Sequence, residues 1–185
     1  MTLEDRSQPN LLTAIVAATK TAVQERATVK PLRELEKVHG QGRPDGGRFV
    51  AELRRKDRYN VIAECKRRSP SKGVFSNTYD PSEIASGYAN AGAAAISVLT
   101  EPSFFDGNLE HLEAVRQAVA VPVLRKDFIV TDYQLLEACA AGADAVLLIA
   151  AILETSELRD LMRRAKDYGL AVLTEVHERR TIALS

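Results

Sequence analysis

From residue 61 onward the chain repeats one unit: a short apolar run, a capped helical stretch, then a glycine that returns the chain to the next run. The runs are Val61–Cys65, Ala94–Leu99, Val121–Leu124, Ala145–Ile149 and Leu170–Val176. Their starts, from 61 to 170 in four steps, lie about 27 residues apart on average. Most of the runs are continuous in Val, Ile, Leu and Ala rather than alternating with polar residues. That is how a strand reads when it is buried on both faces of a parallel sheet. Strands alternating with helices at this period imply βα units wound in one direction.

The helices carry their own punctuation. Asp80-Pro81-Ser82-Glu83 supplies an N-cap, a proline at the first helical position and an acid in the first turn. Asn108 is placed to cap a helix through Leu109, Leu112, Val115 and Val119, and Thr131 with Gln134 the helix after it. Thr155 or Ser156 opens an amphipathic stretch with Leu158, Leu161, Met162, Ala165 and Tyr168 on one stripe. Ala91-Gly92-Ala93 and Ala141-Gly142-Ala143 echo each other ahead of a strand, and Tyr168-Gly169-Leu170 is a weaker copy. Each reads as a glycine C-cap. A last helix is expected from Glu178.

Five such units are visible. A (β/α)8 barrel of TIM type needs eight. The expected fold is therefore the first five βα units of such a barrel over residues 61–185, preceded by a helical extension over residues 1–60. In the extension, Asn10 caps a helix with Leu11, Leu12, Ile15, Ala18 and Ala22 on one face. Pro31 opens a second helix through Leu32, Leu35 and Val38, and Phe49 and Leu53 mark a third. Between them GQGRPDGG (40–47) reads as a connector: its glycine spacing is wrong for a dinucleotide loop, and it follows a helix rather than a strand. Five strands leave two open edges, so self-association through those edges is expected.

Several function classes drop out on composition. Lysine plus arginine and aspartate plus glutamate each number 25, so no global field favours nucleic acid or an anionic membrane. Tryptophan is absent and aromatics are 5%, too few for base stacking. The longest apolar run, Ala145–Leu153, is far short of the roughly 20 residues of a membrane span. The N-terminal MTLEDRSQPN lacks the apolar core of a secretory signal. Cys65 and Cys139 stand alone, which points to a reducing cytoplasm rather than a disulfide scaffold. His39, His111 and His177 have no metal-ligand spacing, so no metal is expected; His111 reads as a surface residue of its helix.

In a βα barrel, chemistry gathers where the strands end. Glu64 and Lys66 are two apart on the first strand and face the same way, into the mouth, while Cys65 between them faces the helices. Lys126 ends the third strand, in Val123-Leu124-Arg125-Lys126-Asp127-Phe128, and Glu175 the fifth, in Leu173-Thr174-Glu175-Val176. Two lysines and two carboxylates converging on one mouth suit acid–base work on a carbonyl-bearing anion. The loop Arg67–Gly73 combines cations, hydroxyls and a turn and reads either as an anion-binding loop or as a solvated basic one.

These motifs together resemble one family. Ile62-Ala63-Glu64-Cys65-Lys66-Arg67-Arg68-Ser69-Pro70-Ser71-Lys72-Gly73 is similar to the first-strand signature of indole-3-glycerol phosphate synthase. Leu99-Thr100-Glu101 with Phe104-Phe105-Asp106-Gly107, Leu124–Phe128, Asp144–Ile149 and Thr174-Glu175-Val176 follow in that family's order, along essentially the whole chain. The resemblance implies a carbon–carbon lyase of tryptophan biosynthesis. Its phosphorylated substrate, 1-(2-carboxyphenylamino)-1-deoxyribulose 5-phosphate, is ring-closed, decarboxylated and dehydrated to indole-3-glycerol phosphate, without cofactor or metal. It implies that Lys126 is the general acid at the ketone, that Glu64 and Glu175 serve later proton transfers, and that Lys66 holds the substrate carboxylate. It implies a loop contact at Ser69 and an apolar wall of Phe105, Phe128, Leu147 and Ile149. The family's sixth to eighth strands, which carry its phosphate grip, have no counterpart in the sequence. Two alternatives stand beside this one: a silent partial barrel acting only through association, and a Schiff-base aldolase using Lys126.

Overall fold

The computed structural model describes residues 11–39, 44–76 and 78–176. The helix expected from Glu178 lies outside them, as do Gly40 and Gly42 of the connector. Three helices come first: α1 (Leu11–Val29), α2 (Leu32–His39) and α3 (Gly46–Leu53). Then follow β1 (Ile62–Cys65), a small hairpin of β2 (Arg68–Ser69) and β3 (Gly73–Val74), α4 (Pro81–Asn90) and β4 (Ala95–Leu99). The chain continues through α5 (Pro102–Phe105), α6 (Leu109–Ala118), β5 (Val123–Lys126), α7 (Asp132–Ala140) and β6 (Ala145–Ile149). A 3-10 turn, Ala150–Ile152, leads to α8 (Thr155–Asp167) and β7 (Ala171–Glu175).

The five long strands form one parallel sheet in the order β1-β4-β5-β6-β7, which is chain order. A sheet that never reverses its winding keeps its crossover helices on one side and curls its other side inward, which is the barrel rule. The two faces divide accordingly. Outward, Cys65, Ile96, Val98, Val123, Val146 and Leu148 pack under the helices against Ala85, Leu112, Val115, Leu135 and Leu161. Inward, Ala95, Leu124 and Ala145 meet Phe49 of α3, with Ile62, Leu53, Ala171 and Leu173 around them. Helix α3 thus plugs the base of the barrel portion. Strands β4 and β6 are buried throughout; β1 and β7, each with one partner strand among the described residues, are only partly covered.

The caps hold with two shifts. Asp80 accepts the Ser82 and Glu83 amides, and Asn108 the His111 amide. The three echoed glycines, Gly92, Gly142 and Gly169, have φ of 92°, 84° and 86°, the left-handed cap an L residue adopts only with strain. Helix α8, however, starts after Glu154 rather than at Thr155 or Ser156 as its cap, because Glu157 reaches back to the Glu154 amide at 2.9 Å. The connector is also shorter than expected: Gly46 and Gly47 are the first turn of α3, capped by Asp45, whose carboxylate accepts the Arg48 amide. Asp144 ties this base together, accepting the Val123 amide, the Arg116 guanidinium and the Asp45 amide. Among the described residues no helix is long and apolar enough to cross a membrane.

Candidate active site

Alternation along the strands decides what enters the mouth. Positions in step with the base plug on β1, β5 and β6 are Glu64, Lys126, Leu147 and Ile149, and all four line one cavity of about 260 Å3 with Lys66, Glu175, Phe105 and Phe128. Every residue expected to be catalytic and the whole expected apolar wall therefore meet in one place. Pairing sets the heights: Leu99 sits beside Lys126, and Ile149 beside Glu175.

Glu64 is the electrostatic centre. Lys126 Nζ donates to its Oε2 at 2.6 Å, and Lys66 Nζ donates to Oε1. Burial pushes the Glu64 carboxyl up, but the hydrogen bonds from Lys126 and Lys66 and their charges outweigh it, leaving its pKa below the ordinary value. Lys66 also lies 5.7 Å from the centre of the Phe75 ring. The Phe105 and Phe128 rings, which line the same cavity, pack together with centroids 6.1 Å apart and planes tilted by 31°. Phe105 is set by α5, whose first three free amides are all taken by the Glu101 carboxylate. Gly107 then turns hard against β4, where a Cβ would lie 2.4 Å from the Leu99 carbonyl oxygen.

Such a pocket combines a packed aromatic pair with a carboxylate held between two lysines. It can take a flat, apolar ring and present cations to an oxygen or carboxylate attached to it. Over residues 12–185 the sequence matches the model of one family, described as indole-3-glycerol phosphate synthase. The chain belongs to the indole-3-glycerol phosphate synthase family. It is 53% identical over 123 residues to the indole-3-glycerol phosphate synthase of Sulfurimonas denitrificans, a match covering 66% of this chain and 47% of that protein. The chain thus spans about half the length of that curated relative. Among solved structures it is similar to the carboxyl transferase domain of Rhizobium etli pyruvate carboxylase with 3-bromopyruvate, at 20% identity and a TM-score of 0.41, over 68% of this chain and 23% of that one. The barrel expected from the repeat is the fold of the synthase family, and the five parallel strands are part of one.

Ser69 and His111 lie elsewhere. Ser69 is not in the cavity wall: it is 9% exposed within the β2–β3 hairpin, where its Oγ accepts the Lys72 amide. The hairpin is pinned sideways by an Arg68–Asp106 ion pair at 3.7 Å. His111 is not a surface residue; it is half-buried, its ring edge-on to Tyr79 at 5.2 Å, and its Nδ1 has no hydrogen-bond partner among the described residues. Leu12 and Leu99 line the cavity and were not singled out for it by sequence, although Leu12 lay on the apolar face of its helix. Asp127 lines it as well.

Both thiols are free, buried and raised to about 12, mainly by burial. Cys65 faces the helices, as alternation required.

Proposed function

We propose that the protein is an indole-3-glycerol phosphate synthase acting on 1-(2-carboxyphenylamino)-1-deoxyribulose 5-phosphate in the cytoplasm, with residues 1–60 an extension and 61–185 barrel. The observation that carries the reading is the Glu64 carboxylate held between Lys66 and Lys126 in the cavity that Phe105 and Phe128 also line. The substrate's aromatic ring packs on the apolar wall of Phe105, Phe128, Leu147 and Ile149 in this reading, with Lys66 as the cation for its carboxylate. Ring closure makes a bond from the ring carbon bearing that carboxylate to the ketone carbon. Negative charge then develops on the ketone oxygen, where Lys126 donates a proton. The carboxylate leaves as carbon dioxide and its bond electrons restore the aromatic ring, a departure favoured by apolar surroundings that hydrate the anion poorly. Glu64 and Glu175 are the groups placed to move the protons of the final dehydration.

A Schiff-base aldolase using Lys126 is the alternative, and it differs in forming a covalent adduct with its ketose substrate. The partly covered edges at β1 and β7 favour pairing between copies of the chain, which sedimentation reads directly. The test of function is turnover by the full-length protein, followed by indole fluorescence. Wild type is expected to form indole-3-glycerol phosphate, and Lys126→Met to lose about 10² or more in kcat with its fold intact. A Lys126→Met protein with near-normal kcat, or borohydride trapping of a ketose phosphate on Lys126, overturns the assignment.

A further inference from the structure

Arg125 and Lys126 are neighbours on β5 and leave it on opposite faces. Lys126 enters the mouth. Arg125, 1% exposed, runs outward beneath α7. There its Nε donates to Thr100 Oγ1 at 3.2 Å, Nη1 to the Gln134 carbonyl at 2.7 Å and Nη2 to Asp127 Oδ2 at 2.8 Å. Nη1 and Nη2 both reach Glu137 Oε2 at 3.3 Å. Glu137 is gripped from its other side by Arg26 of α1, which donates to both carboxylate oxygens, at 2.6 and 3.1 Å. Asp127 also accepts the Thr100 hydroxyl at 2.7 Å and the Phe128 amide at 2.8 Å. Two guanidinium groups and two carboxylates, neutral in sum, thus run from the N-terminal helix through the barrel wall to the end of β5, where Lys126 closes the strand and Phe128 follows it.

Apolar residues of the same volume stabilise a core as well as a buried ionic cluster does. What the cluster adds is direction: each fork admits one geometry, and a saturated network moves as a unit. We propose that Arg26, Glu137 and Arg125 are positioning residues for Lys126, through which the N-terminal helix holds the lysine against Glu64. The proposal rests on the synthase reading only for its consequence in turnover; the geometry is measurable without substrate.

The reporter is the Glu64 carboxyl, followed by carbon-13 NMR titration of the protein and assigned with Glu64→Gln. The charged groups that line the same cavity are Lys66, Lys126, Glu175 and Asp127, the last with its carboxylate bound to Arg125. Lys126→Met gives the full shift expected when the lysine is lost. Glu137→Gln removes a buried negative charge, so its field alone moves the Glu64 midpoint down. Loss of positioning lets Lys126 drift from Glu64 and moves the midpoint up, toward the Lys126→Met value. The expected result is upward. Arg26→Lys keeps the charge and loses the fork, on a side chain 34% exposed and therefore tolerant, and is expected to move the midpoint up by less. A midpoint unmoved or lowered in both variants, with native circular dichroism, overturns the proposal. Where Glu137→Gln does not fold, Arg26→Lys decides alone. Failure of the synthase reading shows separately, as absent turnover in the full-length wild type.

Discussion

Replacing Arg125 by Met keeps the volume of its aliphatic stem and removes five guanidinium hydrogen bonds at once. Two carboxylates stay behind, Asp127 at 5% and Glu137 at 4% exposed. Glu137 keeps Arg26; Asp127 keeps only a hydroxyl and an amide. Stranding a buried charge costs about 3–5 kcal/mol, whereas the intact cluster adds little over an apolar core. Against a typical total of roughly 5–15 kcal/mol this is a large share. At this chain length it lowers Tm by roughly 6–20 °C. Urea unfolding followed by circular dichroism measures the loss, with an unchanged m-value showing that the native state is still the reference. The decisive comparison adds Asp127→Asn and Glu137→Gln to Arg125→Met. With the stranded charges gone, the triple variant is expected to recover at least half of the lost stability, a coupling that independent sites do not show. A single variant losing less than about 1 kcal/mol, or a triple variant no more stable than the single, refutes the account of a sealed cluster.

Gly107→Ala drives a methyl group into the Leu99 carbonyl and the Thr100 backbone, which have no room to yield; a loss of about 1–3 kcal/mol is expected in thermal unfolding. Glu64 has a folded pKa below its unfolded one, so its contribution to stability is present above the unfolded value and is lost as pH falls through the folded value. Glu64→Gln is accordingly expected to flatten the acid limb of a stability–pH curve, and an unchanged limb counts against the clamp. Cys65 and Cys139, buried and raised to about 12, are expected to ignore a disulfide reagent at pH 8 until the protein is unfolded.

Most of the barrel was legible because its signals are local. A run such as Ala145–Ile149, closed off by Ala141-Gly142-Ala143 on one side, declares its strand without knowledge of any neighbour. Glu64, Lys66, Lys126 and Glu175 could be placed in the mouth because parity along a strand fixes facing. Arg125 obeys the same parity, but its partners do not announce themselves. Glu137 lies on the next helix and Arg26 on the first one, 111 residues from Glu137, and only tertiary packing joins them. The local role of Ser69 was not legible: a serine two residues before another serine in a basic turn can serve its own loop, and here it accepts the Lys72 amide. His111 looked exposed on its helix because the Tyr79 ring that covers it comes from a separate loop. At Glu154 the better N-cap types, Thr155 and Ser156, lost to the backward reach of Glu157, a competition that propensity alone does not resolve.

The opposed pair on β5 also guards the alignment of the sheet. If β5 slid by one residue against β4 and β6, every side chain on it would change face. Lys126 would then face the helices, where a single ammonium cannot replace the five-donor fork that serves Thr100, Gln134, Asp127 and Glu137, while Arg125 would enter the mouth beside Lys66. Two neighbouring cations with incompatible destinations make the shifted sheet far worse than the native one. An all-valine strand in the same place would pair almost as well one notch away.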